Sequence, residues 1–260
     1  MSVAKRRAIA IGYGIVCHGM FLAGVATMVA MMYFGMSLSL GPFAPPWSYA
    51  ANALLLLQFG LLHSFFLSKR GRGILTRLAP EGFGADLAPT TYVTIASAQT
   101  LALFALWSPS GIIWWQAEGF ALAALTALYA ASWLLLGKAM ADAGLGLQAG
   151  WLGWWAVLRG TKPAYPPMPE AGLFRFTRQP IYVAFALTLW TVPTWTPDQL
   201  AVALTLTFYC VAGPLLKEAR FARIHGAKFA DYQRRVPYWL PRSPRQQPRG
   251  AATLEPENAE

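Results

Sequence analysis

An all-α, integral-membrane bundle of about six transmembrane helices, with a C-terminal interfacial helix, is predicted by three observations. The 260 residues are 56% hydrophobic and only 12% charged, against about 25% charged in a soluble domain. The apolar residues gather in runs, most of them long enough to cross a hydrocarbon core of about 30 Å. All 21 Lys and Arg fall in alternate connections between those runs, as the positive-inside rule requires of an even number of spans.

The first run, 8–34, follows Lys5, Arg6 and Arg7. This start resembles a signal peptide, but the apolar stretch far exceeds an h-region of about 7–15 residues and reads as a retained span. Gly19, Ala23 and Thr27 recur every four residues and predict a small-residue face for helix packing. A charge-free loop with Pro42, Pro45 and Pro46 leads to the second span, 47–67, which contains His63 and Ser64. Lys69, Arg70, Arg72 and Arg77 precede the third, 90–107. Ile112 to Trp115 suit an interfacial turn before the fourth, 119–140, where Ala123, Ala127 and Ala131 form another small stripe. The 141–179 connector carries Trp151, Trp154, Trp155 and four prolines. It is too long for an idle turn and is expected on the cytoplasmic membrane surface. The fifth span, 180–195, is short for a crossing that takes about 20 residues. The sixth is 198–216. Residues 217–240 read as an interfacial helix and cap, which completes one transmembrane domain over 1–240. Residues 241–260 have the composition of a disordered tail.

Three basic residues precede the first span, four lie between the second and third, five between the fourth and fifth when Lys138 at the end of the fourth is included, and nine after the sixth. Both termini are therefore expected in the cytoplasm, with the protein in a bacterial inner membrane. The net charge of +10 then reflects contact with anionic headgroups; membrane lipid is an expected partner and nucleic acid is not. Cys17 and Cys210 lie within apolar runs and read as buried hydrophobes. His18, His63 and His225 fall in separate segments, so no metal site is expected. There is no dinucleotide fingerprint after a strand and no P-loop.

The polar residues do gather at one place. Arg178, Gln179 and Tyr182 flank Pro180 at the start of the fifth span, with Pro180 suited to the first helical turn. Glu218 ends the next, antiparallel span at the same depth. A carboxylate there is paired or used. One reading is an Arg178–Glu218 ion pair that fixes the hairpin; the other is a functional pocket at the cytoplasmic surface.

Leu173 to Tyr182 (Leu-Phe-Arg-Phe-Thr-Arg-Gln-Pro-Ile-Tyr), then Lys217-Glu218, His225-Gly226, Tyr232 and Val236-Pro237, resemble the C-terminal signature of the isoprenylcysteine carboxyl methyltransferase superfamily. That signature is Arg-His-Pro-x-Tyr, a Glu-Glu pair, then His-Gly and Tyr ahead of Val-Pro. Leu62-His63-Ser64, Thr91-Tyr92-Val93 and Trp107 resemble the N-terminal half of its bacterial methanethiol S-methyltransferase and NnrU-type branch. The resemblance spans about residues 54–241. It implies an integral-membrane methyltransferase that uses S-adenosylmethionine on a small thiol or lipophilic acceptor at the cytoplasmic face. It also implies roles. Arg178 and Glu218 are the catalytic candidates, Arg178 pairing with the cofactor carboxylate and Glu218 accepting from its amino group or ribose. Gln179, Pro180, Tyr182, Tyr165 and Tyr232 complete the cofactor site, the tyrosines stacking on adenine or facing the sulfonium. His63 is the substrate-side candidate. Two positions depart from the pattern: Gln179 stands where the family has His, and Lys217 where it has the first Glu. A non-catalytic NnrU-like membrane protein associated with redox or denitrification enzymes, and an NADPH-dependent membrane reductase, are the competing readings.

Overall fold

The computed structural model describes residues 2–242; most of the tail expected over 241–260 lies outside them. The protein is an all-α membrane-type bundle. Helix α1 runs Val3–Tyr33, with the Ser2 hydroxyl capping it by accepting from the Lys5 amide at 3.3 Å. Its 31 residues reach about 46 Å at 1.5 Å per residue. Helix α2 (Trp47–Phe66) is followed by α3 (Lys69–Leu78), capped by Ser68. Helix α4 is Gly84–Ala105 and α5 is Gly119–Asp142. The connector holds α6 (Leu145–Gln148), α7 (Trp151–Arg159) and a 3-10 turn at Gly172–Arg175. Helices α8 (Pro180–Trp190), α9 (Pro197–His225) and α10 (Ala227–Arg235) follow. Two short strands, β1 (Trp115–Gln116) and β2 (Thr194–Trp195), pair antiparallel, Trp115 opposite Trp195. Among the described residues four helices are long and apolar enough to cross a membrane: α1, α2, α5 and α9.

Helices α1 and α4 pack most closely. The contact face of α1 is Gly14, Cys17, Gly24, Met28 and Met32, not the expected Gly19, Ala23 and Thr27; Gly19 has open space where a Cβ would stand. At Gly24 a Cβ would come within 2.9 Å of the Ser97 carbonyl oxygen, so only glycine allows the two backbones this approach. On α5 the buried face is Tyr129, Ser132, Leu136 and Ala139, while Ala123, Ala127 and Ala131 are exposed. In both cases the buried face mixes small and large side chains, and it is not the stripe that small-residue spacing alone picks out.

The largest core cluster joins Met28, Met32, Leu103, Phe104, Leu189 and Leu206. Interhelical hydrogen bonds run through the bundle: Gln99 donates to Gln58, Asn52 to the Ser108 carbonyl, and Tyr129 to the Val29 carbonyl, each at 2.9 Å. These satisfy polar groups that would be costly in hydrocarbon.

Two stretches at the C-terminal end differ from their expected extents. The 180–195 stretch is helical only to Trp190, because Pro193 cannot donate and biases Val192 away from the helical region. The break expected near 217 comes at Gly226, whose φ of +50° suits glycine. Within the connector, α7 is tucked against α1 and α4. Thr90, fully buried, donates to the Gly150 carbonyl at 2.9 Å and accepts from the Trp154 amide at 3.0 Å.

Candidate active site

The chain from Thr177 to Pro180 enters α8 alongside the C-terminal segment. The Arg178 amide donates to the Pro237 carbonyl at 3.0 Å, and the Thr177 hydroxyl donates to the Trp239 carbonyl at 2.9 Å. That segment is itself fixed to α9. Pro214 cannot donate to the Cys210 carbonyl one turn back, and the Trp239 indole fills that place at 3.3 Å. The Tyr238 hydroxyl donates to the neighbouring Val211 carbonyl at 2.6 Å.

Glu218 sits at the centre of this junction. Its carboxylate accepts from Arg178 Nε at 2.8 Å and Nη2 at 3.1 Å, from Gln179 Nε2 at 2.8 Å and from Gln233 Nε2 at 3.0 Å. Arg178 Nη1 also donates to the Val236 and Gln233 carbonyls. The pair is largely buried, with side-chain exposures of 11% and 10%. Each remaining hydrogen bond helps offset the cost of holding two charges out of water. Tyr232 lies on the same side, donating to the Phe174 carbonyl at 2.7 Å. Burial pushes its phenol well above the ordinary value, so it stays a donor throughout the neutral range. Only a void of about 10 Å³ remains between these residues, about one water's worth.

A second space, about 920 Å³, opens on the other side of Lys217. It is at the upper end of the range for small-molecule sites, about 300–1,000 Å³. Its walls come from α1, α2, α3, α4, α5, α6, α8 and α9 and are mostly apolar. Polar side chains are set among the apolar ones. His63 Nε2 is 2.7 Å from the Tyr92 hydroxyl, while its Nδ1 is buried with no partner. Trp133 Nε1 is likewise buried and unpaired. Tyr182, Tyr165, Lys217, Arg72 and Arg220 also line it, with Thr76, Ser97, Thr100 and Gln148.

The predicted site residues thus fall into two groups. Arg178, Gln179, Glu218 and Tyr232 surround the closed junction; Tyr182, Tyr165 and His63 line the large cavity; Lys217 borders both. Pro180 is buried at the first turn of α8. Gln179 has no exposed surface, and its Oε1 has no partner. Trp133 was not legible as a site residue, since one tryptophan in an apolar run carries no sign of which way it faces. Gln233 was also missed, because nothing local sets the angle at which α10 leaves α9.

No protein-family model and no solved structure matches the chain. Among curated proteins, it is 31% identical over 213 residues to a methanethiol S-methyltransferase of Pseudomonas deceptionensis, covering 77% of this chain and 76% of that protein. It is 28% identical over 217 residues to methanethiol S-methyltransferase 2 of Bradyrhizobium diazoefficiens, covering 74% and 72% of the two chains. A Mycobacterium tuberculosis protein of the same name is 27% identical over 212 residues, covering 73% and 77%. At that identity and coverage, the chain belongs to the methanethiol S-methyltransferase family of membrane methyltransferases.

Proposed function

We propose that this protein methylates a small thiol, methanethiol or a close analogue, from S-adenosylmethionine, at the cytoplasmic face of a bacterial inner membrane. The observation that carries the reading is the 920 Å³ cavity, considered together with the family. It is large enough for an adenosyl cofactor beside a small acceptor. Its lining is mostly apolar and carries ionic and aromatic side chains that could bind such a cofactor.

The residues fit such a cofactor. Tyr182 and Trp133 line the cavity and offer aromatic surface for a base or for a cationic sulfur. When bound, the cofactor supplies a methyl group on a positively charged sulfur. The chain's contribution is alignment and water exclusion. His63, whose Nε2 is held by the Tyr92 hydroxyl at 2.7 Å, lines the cavity and is the base we assign to the proton of an incoming thiol. The Arg178–Glu218 junction holds α10 and the C-terminal segment over the end of the bundle. It acts on the reaction by keeping Tyr182 and α9 in place.

In this reading six segments cross: α1, α2, α4, α5, the α8–β2 stretch and α9. The distribution of Lys and Arg then puts α3, the 141–179 connector, α10 and both termini in the cytoplasm. Residues 1–240 form one transmembrane domain.

Isothermal titration of the detergent-purified protein tests the cofactor assignment. S-adenosylmethionine and S-adenosylhomocysteine are expected to bind saturably at one site, with NADPH inert. Binding of NADPH alone would replace the proposal with a reductase. Binding of none would favour the non-catalytic reading.

A further inference from the structure

Lys217, where the superfamily pattern has an acid, has a physical role in the large cavity. It lies beside Glu218 in sequence but not in contact: the Glu218 carboxylate is taken by Arg178, Gln179 and Gln233. The Lys217 ammonium instead stands over three rings, 6.0 Å from the centre of Phe174, 5.6 Å from Tyr182 and 5.7 Å from Phe221. Ring faces attract the cation but accept none of its three N–H bonds in the ordinary way. Arg220 follows three residues later, on the same face of α9, and lines the same cavity. Arg72 of α3 adds a third cation at the exposed rim. Among the described residues none of the three has an ion-pair partner. No Asp or Glu lines the cavity.

Both cations border the large cavity, Lys217 also facing the closed void through Phe174 and Phe221; two like charges held there repel each other and lose hydration. An anion between them reverses both effects, and a charge-assisted hydrogen bond to it is among the stronger polar contacts. Arg178 cannot serve this purpose. Four of its five N–H groups are engaged by Glu218 and two backbone carbonyls, and the Glu218 carboxylate beside it repels a second carboxylate.

We propose that Lys217 and Arg220, rather than Arg178, form the oxyanion site that holds the carboxylate of the adenosyl cofactor. This rests on the cofactor reading given above. Its effect is to fix which end of the cavity receives the amino-acid tail. An anionic lipid headgroup offers the same chemistry, so the test separates the two sources.

The measurement is calorimetric binding to the full chain in nanodiscs of neutral phosphatidylcholine. S-adenosylmethionine is compared with its decarboxylated form, which lacks only the carboxylate. The wild type is expected to prefer the carboxylated ligand by about tenfold or more, the scale of one charge-assisted hydrogen bond. Lys217→Met and Arg220→Met should each weaken S-adenosylmethionine by about tenfold while leaving the decarboxylated ligand within about twofold. Lys217→Arg, which keeps the charge, should retain the preference. Equal affinity of the wild type for both ligands, or equal weakening of both by the variants, would overturn the proposal. So would competition by phosphatidylglycerol that Lys217→Met abolishes, if the wild type shows no preference between the two adenosyl ligands; the cations would then hold a headgroup. Failure of either adenosyl ligand to bind the wild type would overturn the cofactor reading along with this one.

Discussion

Four donor atoms from three residues converge on the two Glu218 oxygens. Removing one member of a buried ion pair leaves the other uncompensated, at a cost of about 3–5 kcal/mol. Glu218→Ala is therefore expected to lower the thermal unfolding midpoint in detergent sharply; a midpoint equal to wild type would contradict the clamp described here. Gln179 supplies one donor, at 2.8 Å. Gln179→His restores the superfamily residue and keeps a ring N–H able to point at Glu218, so stability should stay within about 1 kcal/mol. Gln179→Leu strands part of the carboxylate and should cost about 1–3 kcal/mol, which the same melts would resolve. The facing of Arg178 and Glu218 was legible because two consecutive apolar runs must be antiparallel and so end at one depth. The direction taken by Lys217 was not, since a lysine at a helix end turns to an acid, a ring or a headgroup according to neighbours that come from elsewhere in the chain.

The elements are fitted to one another by backbone approach as much as by side-chain bulk. Gly150 has a φ of +83°, and a Cβ there would lie 2.6 Å from Cys17 Sγ. Gly150→Val should detach α7 from α1 and α4, seen as faster hydrogen exchange over 150–159 and a lower melting point; unchanged exchange would show that α7 is not held there. The C-terminal segment depends on the carbonyl that Pro214 leaves free. Trp239→Phe removes the only donor to the Cys210 carbonyl found among the described side chains and should cost about 1 kcal/mol, with exchange rising over 237–242. Helix positions follow the length and apolarity of each run, so most of these elements could be placed from sequence. Their packing faces were harder. A stripe of small residues predicts close approach, yet Gly19 and Ala123 stay exposed while Gly24 meets α4. The contact between α7 and α1 depends on a glycine and a threonine, Gly150 and Thr90, far apart in sequence, and no local pattern links them.

On the scale of the whole molecule, a polar crevice is pinned shut at one side of Lys217 and a large apolar cavity stands open at the other. The resemblance to the methyltransferase signature directed attention to the pinned side, because the motif residues are there. The cavity is assembled from eight helices, which is why only a few of its residues, His63 and Tyr182 among them, could be singled out beforehand. The six-crossing arrangement we propose is tested by single cysteines at Ser2 and Ala44, since Cys17 and Cys210 are buried. An impermeant maleimide added outside a membrane-enclosed cell should label Ala44→Cys, and Ser2→Cys only after permeabilisation; the reverse pattern would invert the orientation. The most direct test of the central claim is methyl transfer itself. Purified protein is given S-adenosylmethionine carrying a deuterated methyl group together with methanethiol, and the headspace is read by mass spectrometry. Trideuterated dimethyl sulfide is expected, formed in equal amount with S-adenosylhomocysteine and much reduced in His63→Ala. No labelled thioether from a protein that binds the cofactor would contradict it.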